Sequence, residues 1–436
     1  MNHREVIQKA KKYITLLKLV FILVFITQRM LYATGGIPAG SGTIADPFLI
    51  ADYADLKVVG TSTAYPGSAV YRLVADIDAA ASQSENAGAG FVPINDSTIN
   101  YFTGTFHGAV HVIRNLHISG PVGNNAALFA NLWGGTIDSL GVLNAHVTAD
   151  GGYVGILVSD NNTGTITNCY VTGSAINTNG SAGGLVCGST GTISNCFSTA
   201  NVSGTDYVGG LMATNSDIAS NCYTTGTVSG RNYVGGIAGD NTSTLTDCYA
   251  IGSVSGSGLY IAGIAGGNHI ATDCYWDTLT TGCASGCAFS SGSFSGAGLS
   301  TAEMKQSSSY SGWDFTTIWS INPSINGGYP YLTSNIITSV QAAAIGTPKS
   351  FLLLQNYPNP FNPTTTIRFS VEKDGRAAVK VFDILGREMA ILFYNVAKAG
   401  QYYTSTFNGS KFSSGVYFYT IESNNQHLVK KMMILK

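Results

Sequence analysis

The chain has 436 residues, enough for two or three folding units. Only 11% of them are charged, against about 25% in an ordinary soluble protein, and 53 are glycine. The net charge of −2 conceals a body of −13 over residues 34–348, between ends of +5 and +6, and so acidic a body excludes nucleic-acid binding by phosphate neutralisation.

Residues 1–33 are expected to be a signal peptide. Arg4, Lys9, Lys11, Lys12 and Lys18 form a basic stretch around and before an unbroken apolar run, Leu19 to Ile26. Eight apolar residues are too few to span a bilayer, which needs about 20. They suit the core of a leader cleaved after Ala33. The mature protein is therefore expected outside the cytoplasm.

Residues 34–120 are expected to hold an N-terminal cap and the first coils of a solenoid, with 51–59 as a short capping helix. An open terminal coil exposes strand edges and core, so both ends need closing. Over residues 121–282 the coils announce themselves. An Asn or Asp, a Cys and an aromatic ring recur at Asn168-Cys169-Tyr170, Asn195-Cys196-Phe197, Asn221-Cys222-Tyr223, Asp247-Cys248-Tyr249 and Asp273-Cys274-Tyr275. The cysteines are 27, 26, 26 and 26 residues apart. Between them fall Tyr153-Val154-Gly155, Gly183-Gly184-Leu185, Gly209-Gly210-Leu211, Gly235-Gly236-Ile237 and Ala262-Gly263-Ile264. Three short strands per coil, around Gly-Gly-Leu, before Asn-Cys-Tyr and at Thr-Val-Ser-Gly, predict a parallel β-helix. The aromatic-rich residues 283–335 are expected to close its C-terminal end.

Cys169, Cys196, Cys222, Cys248 and Cys274 are expected to stack as a structural ladder. Parallel side chains one coil apart keep their Cβ atoms about 4.8 Å apart, beyond the usual disulfide window, so buried thiols are favoured over bridges. A metal site needs converging rather than stacked ligands. Cys283 and Cys287 fall outside the period, and in an oxidising compartment they can pair with each other or with Cys274. The residues before the ladder cysteines, Asn168, Asn195, Asn221, Asp247 and Asp273, read as a stacked polar ladder with bonds from coil to coil. Their second reading is a carboxylate pair, since Asp247 and Asp273 would lie about 5 Å apart, near the separation used by retaining glycosidases. His107, His111, His117, His146 and His269 show no metal-ligand spacing. No nucleophile elbow, phosphate loop or dinucleotide fingerprint is present, and no cofactor is implied.

The repeat region resembles bacterial surface proteins carrying the GLUG motif, on the Gly-Gly-Leu/Ile and Asn/Asp-Cys-aromatic series. The likeness covers roughly residues 40–335. It takes in Asp46-Pro47-Phe48-Leu49-Ile50, Leu73-Val74-Ala75-Asp76-Ile77-Asp78 and Phe102-Thr103-Gly104-Thr105-Phe106 upstream, and Trp313-Asp314-Phe315, Trp319 and Tyr329-Pro330-Tyr331-Leu332 downstream. His107 and Val110 stand where Asp and Gly are usual.

Residues 336–350 read as a linker, and 351–436 as a small Ig-like β-sandwich. Five or more strands are expected, among them 366–371, 378–383, 402–407, 416–421 and 428–435, separated by Gly turns. The module resembles the C-terminal sorting domain of the type IX secretion system of Bacteroidetes and related Gram-negative bacteria. The matching residues are Tyr357, Pro358, Asn359, Pro360, Phe361, Asn362 and Pro363; Asp383, Gly386 and Arg387; Ser414, Gly415, Val416 and Tyr417; and Lys430 and Lys431. That resemblance implies passage through the periplasm, recognition by the type IX machinery at the outer membrane, and removal of the domain. The cargo would then be released or attached to surface lipopolysaccharide.

The sequence thus points to an all-β, non-catalytic, secreted or cell-surface protein engaged in adhesion or in binding a glycan or protein partner through exposed tyrosines such as Tyr207 and Tyr233. Its rival is a polysaccharide-degrading β-helix enzyme, a glycosidase or lyase. Residues 121–300 carry a single basic side chain, Arg231, which argues against a lyase that must neutralise a uronate.

Overall fold

The computed structural model describes residues 35–95, 101–120, 125–323, 325–335, 351–353, 356, 361, 364–399, 402–424 and 426–434. The expected signal peptide and linker lie outside them. The chain divides into two compact units after Ile336.

The first unit is a parallel β-solenoid of about nine turns. Its register is set from the start: Phe48–Ile50 pairs with Val70–Leu73, which pairs with Thr105–His107, which pairs with Thr136–Asp138, all parallel. A short helix, Tyr53–Val58, begins on Asp52, whose side chain accepts the Asp55 N–H at 2.9 Å. Leu56 and Val59 carry that segment into the core. Val110, where the GLUG resemblance expects Gly, has φ +62°, a conformation that glycine adopts without strain.

A representative coil is more finely divided than the three strands expected. It runs Asp206–Gly209, Met212–Asn215, Ile218–Ser220, Tyr223–Thr224 and Val228–Gly230. Both sequence motifs mark corners rather than strand centres. Gly-Gly-Leu makes the first corner, and there Leu185, Leu211, Ile237 and Ile264 point inward and are fully buried. A Cβ at Gly210 would collide with the Gly236 carbonyl of the next coil, so close stacking requires the glycine. Asn-Cys-aromatic makes the second corner. Asn168, Asn195, Asn221, Asp247 and Asp273 all have φ of 51–53°. Asn and Asp are the non-glycine residues that best tolerate this left-handed conformation, which explains their recurrence by backbone geometry.

The segment expected to plug the C-terminal end does two things. Cys287–Leu299 is one further coil, paired parallel to Ala265–Asp277. The chain then folds back as an arm along the side of the stack. The arm packs on the C-terminal part of a ladder of aromatic rings formed by Tyr170, Phe197, Tyr223 and Tyr249, whose centroids are 5.0, 4.7 and 5.1 Å apart. Trp319 packs on Tyr223 and Tyr249, and Trp313 on Tyr249 and Tyr275. Two of the polar tips are bonded at this contact: Tyr249 Oη donates to the Pro330 carbonyl at 2.5 Å, and Trp313 Nε1 to the Asp273 carbonyl at 2.9 Å.

The second unit has two antiparallel sheets. One contains Leu352–Leu353, Thr364–Ser370 and Tyr402–Asn408; the other has the order Glu388–Ala397, Gly375–Phe382, Gly415–Ser423, Gln426–Ile434. Ile367, Phe369, Val379, Val381, Phe407, Tyr419, Ile421 and Met432 share its core. The strand Glu388–Ala397 escaped the sequence reading. Its apolar residues run on without alternating, and the register slips between Val379 and Lys380 of its partner strand.

Candidate functional site

Vertical columns of side chains run along the solenoid, and they differ in chemistry. The cysteine column is internal. Cys169, Cys196, Cys222, Cys248 and Cys274 are fully buried, and each thiol donates to the carbonyl two residues earlier, at 3.1–3.4 Å. The eight cysteines, Cys283 and Cys287 included, are free thiols. Burial pushes the Cys187 thiol up to about 12 and holds Cys196, Cys248 and Cys274 well above the ordinary thiol range. Such groups are poor nucleophiles and poor metal ligands.

A second internal column was not anticipated. Asn161, Ser189, Asn215, Asn241, Asn268 and Ser290 occupy equivalent positions in successive coils. Asn215 Nδ2 donates to Asn241 Oδ1 at 2.8 Å, Asn241 Nδ2 to Asn268 Oδ1 at 2.9 Å, and Asn161 Nδ2 to Ser189 Oγ at 3.0 Å. These coil-to-coil bonds sit four residues after the Leu or Ile of Gly-Gly-Leu. Their signal was available in the spacing of Asn215, Asn241 and Asn268.

The third column faces outward. Tyr207, Tyr233 and Tyr260 stack with centroids 4.9 and 4.6 Å apart, and Phe289, half-exposed, packs edge-on against Tyr260 at 5.7 Å. The stacking leaves the three tyrosines half-buried rather than freely exposed. All three adopt positive φ, of 56°, 51° and 64°, which is uncommon for bulky side chains. Beside them Arg231 pairs with Asp206 at 2.5 Å, and Asn232 Nδ2 donates to the same carboxylate at 2.7 Å. An adjoining column holds Asp160, Gly188, Thr214, Asp240 and Gly267. A Cβ at Gly267 would collide with the Asp240 carboxylate and lie 3.4 Å from the Tyr233 ring, so the two columns are neighbours. Burial holds both Asp160 and Asp240 above the usual carboxylate range.

Asp247 and Asp273 do lie in adjacent coils at equivalent corners. Burial, with Asp273 adding its repulsion, pushes the Asp247 carboxyl up to about 6. The arm crosses this pair: a Cβ at Gly312 would come within 2.8 Å of the Asp273 carboxylate. A raised carboxyl means the folded chain holds its proton more tightly than the unfolded chain. Its stabilising contribution is therefore present below pH 4 and is lost as pH rises through about 6. Asp247→Asn installs the residue that earlier coils carry at this corner. Thermal melts are expected to show the variant more stable than wild type at pH 8, with the gap closing at pH 4. A gap independent of pH would mean the pair does not titrate as described.

The histidines are held in local pairs. His107 Nδ1 meets Asp138 Oδ2 at 2.5 Å, His111 shares Asp76 with Arg114, and His117 stacks on His146 at 5.4 Å. His269 Nδ1 lies 3.4 Å from Ser291 Oγ. Among the described residues no three His, Cys, Asp or Glu side chains group to hold a metal.

In the second unit the motif residues form one turn and parts of the core. Asp383 Oδ1 accepts the Leu385 and Arg387 N–H groups, each at 2.9 Å, and Oδ2 accepts Arg387 Nε at 2.7 Å. Gly386 supplies φ +77°. This holds Ile384 and Leu385 out at the tip, 70% and 73% exposed. Phe361 is buried against Phe407 and donates its N–H to Met433. Tyr417 is buried, with its hydroxyl donating to the Ser413 carbonyl at 3.0 Å. Ser414 and Lys431 are exposed, and Gly415, Val416 and Lys430 partly so. Tyr357, Pro358, Asn359, Pro360, Asn362 and Pro363 lie outside the described residues.

A β-solenoid body followed by a separate antiparallel C-terminal unit defines a two-part, all-β repeat protein. Residues 355–435 match the family described as the secretion system C-terminal sorting domain. That domain marks the chain for export to the cell surface or beyond, through contact with the type IX secretion machinery. Halomucin of Haloquadratum walsbyi is 40% identical over 150 residues, 34% of this chain; the match spans only 2% of that protein's length. A crystal structure from Bacteroides ovatus, provisionally titled an immunoglobulin A1 protease, superposes with a TM-score of 0.50 at 22% identity. The alignment covers 70% of this chain and 96% of that one, a likeness of fold.

Proposed function

We propose that the solenoid is a non-catalytic, GLUG-type adhesive body that binds glycans or protein partners through its outward tyrosine column. The observation that carries this reading is the positive φ of Tyr207, Tyr233 and Tyr260. Strained backbone of this kind costs about 1–3 kcal/mol per residue and concentrates at ligand sites. The column offers ring edges and hydroxyls at intervals of 4.9 and 4.6 Å beside Asp206, Arg231 and Asp240, a repetitive array suited to weak multivalent contact. Release, or attachment to lipopolysaccharide, follows removal of the sorting domain in this reading.

One observation favours the enzymatic rival: the Asp247 carboxyl at about 6 beside Asp273 has the character of a general acid. Against it, the arm lies across Asp273. A glycan array on the purified full chain, with reducing-end release assayed on every bound sugar, separates the two. Saturable binding weakened about tenfold or more by Tyr233→Ala, without turnover, is the expected result. Turnover abolished by Asp247→Asn would replace this reading with a glycosidase.

A further inference from the structure

The outward tyrosine column is interrupted once. Its register runs Tyr153, Ser181, Tyr207, Tyr233, Tyr260, so that a small hydroxyl stands where its neighbours carry rings. The adjoining column is emptied in the same coil. Gly188 lies between Asp160 above and Thr214 below, and a Cβ there would sit 3.4 Å from Asp160 Oδ1 and 3.6 Å from Thr214 Oγ1. Both outward columns thus lack a bulky side chain in the one coil that carries Ser181 and Gly188, a notch defined by side-chain size. Its upper ring, Tyr153, is 49% exposed and has no ring partner among the described residues. Asp160 makes no side-chain hydrogen bond among the described residues.

We propose that this notch is a saccharide slot that takes one neutral pyranose ring between Tyr153 and Tyr207. The inference rests on the glycan-binding role proposed above and gives it a place and a ligand class. Dimensions come first. Two coil rises of about 4.8 Å separate the rings flanking Ser181, about 9–10 Å in all. A pyranose presents apolar C–H groups on both faces, and two van der Waals contacts of about 4 Å, with about 1–2 Å of puckered ring between them, fill that span. A bare aromatic ring would need less room and pack loosely. Polarity comes second. The Asp160 carboxylate accepts hydroxyl protons from the sugar, and the Ser181 and Thr214 hydroxyls both donate and accept. Charge comes third. Among the described residues Asp160 has no cation paired with it, and Arg231 is engaged by Asp206 farther along the column, so a uronate carboxylate would meet an uncompensated negative charge. The slot therefore selects neutral sugars. Elsewhere along the column the rings cover each other's faces, so this interruption is where a ring face is open to a guest.

The test is isothermal titration of the full chain with cellotriose, mannotriose and maltotriose, and with trigalacturonate as the acidic probe. At least one neutral triose is expected to bind, with trigalacturonate about tenfold weaker or more. Ser181→Tyr, which continues the ladder, and Gly188→Thr, which copies the residue of the next coil, are each expected to weaken that triose about tenfold or more. Asp160→Asn is expected to bring neutral and acidic trioses to similar affinity. Circular dichroism and melting temperature establish that each variant is folded; the two filling variants place bulk differently, so one suffices if the other fails. Unchanged triose binding in a folded filling variant overturns the slot and leaves the tyrosine column as the binding surface. Absence of binding by wild type to every triose and every arrayed glycan overturns both.

Discussion

Asn241→Ala is expected to destabilise the solenoid by about 3 kcal/mol, because it breaks a buried ladder in mid-run rather than at an end. Asn241 Nδ2 donates to Asn268 Oδ1 at 2.9 Å and to the Ile270 carbonyl at 2.8 Å, while its Oδ1 accepts from Asn215. Truncation leaves the Asn268 oxygen and the Ile270 carbonyl without that donor in a water-excluded interior, and each such loss costs about 1–3 kcal/mol. In a solenoid the stability is close to a sum of coil and nearest-neighbour terms, so one side chain serving two interfaces has outsized weight. Urea unfolding of the full chain followed by circular dichroism measures it, with the exposed Asn179→Ala as a control expected within about 0.5 kcal/mol of wild type. Equal midpoints for the two variants would mean the ladder is incidental to stability.

Asp383→Ala is expected to stop delivery to the cell surface almost completely. The carboxylate is buried and organises the turn through two backbone N–H groups and the Arg387 guanidinium, which together hold it below the usual carboxylate range. Without it the exposed Ile384 and Leu385 lose the frame that fixes them, while the strands on either side keep their packing. The expected outcome in a bacterium with type IX secretion is accumulation of a folded chain in the periplasm. Fractionation and immunoblotting of cells, medium and periplasm read it directly. Normal surface display of the variant would show that the turn is structural only and that recognition lies elsewhere in the domain.

The two units of the chain differed in how much of them the sequence made legible. The sorting domain was readable because its signature is composed of residues with fixed conformational demands, as at Asp383 and Gly386, where the side chain and the φ of +77° leave little choice. The missed strand Glu388–Ala397 shows the converse. An edge strand with Ile391, Tyr394 and Val396 exposed carries no clean alternation, so period alone does not find it. In the body, the triplets gave the coil length, while the bonded Asn215, Asn241 and Asn268 ladder lies at positions they did not mark. Asn168 and its successors recur because the corner needs a left-handed residue, whereas Asn215, Asn241 and Asn268 recur because their side chains bond to one another. Identical residue types repeat for unrelated reasons, and only coordinates distinguish a backbone demand from a side-chain one.

What this sequence determined by itself was periodicity and address: a step of 26 or 27 residues forces parallel coils to stack in register, and local motifs with rigid backbone requirements mark the exported C-terminal module. What the tertiary structure decided was everything that depends on which columns become neighbours. It folded residues after Leu299 back over the aromatic ladder and set Asp240 beside Tyr233. The reason is geometric. Stacking fixes the vertical neighbour of each residue, but the bends within a coil fix its lateral neighbour, and those bends are shared products of the whole coil rather than of any short stretch of chain.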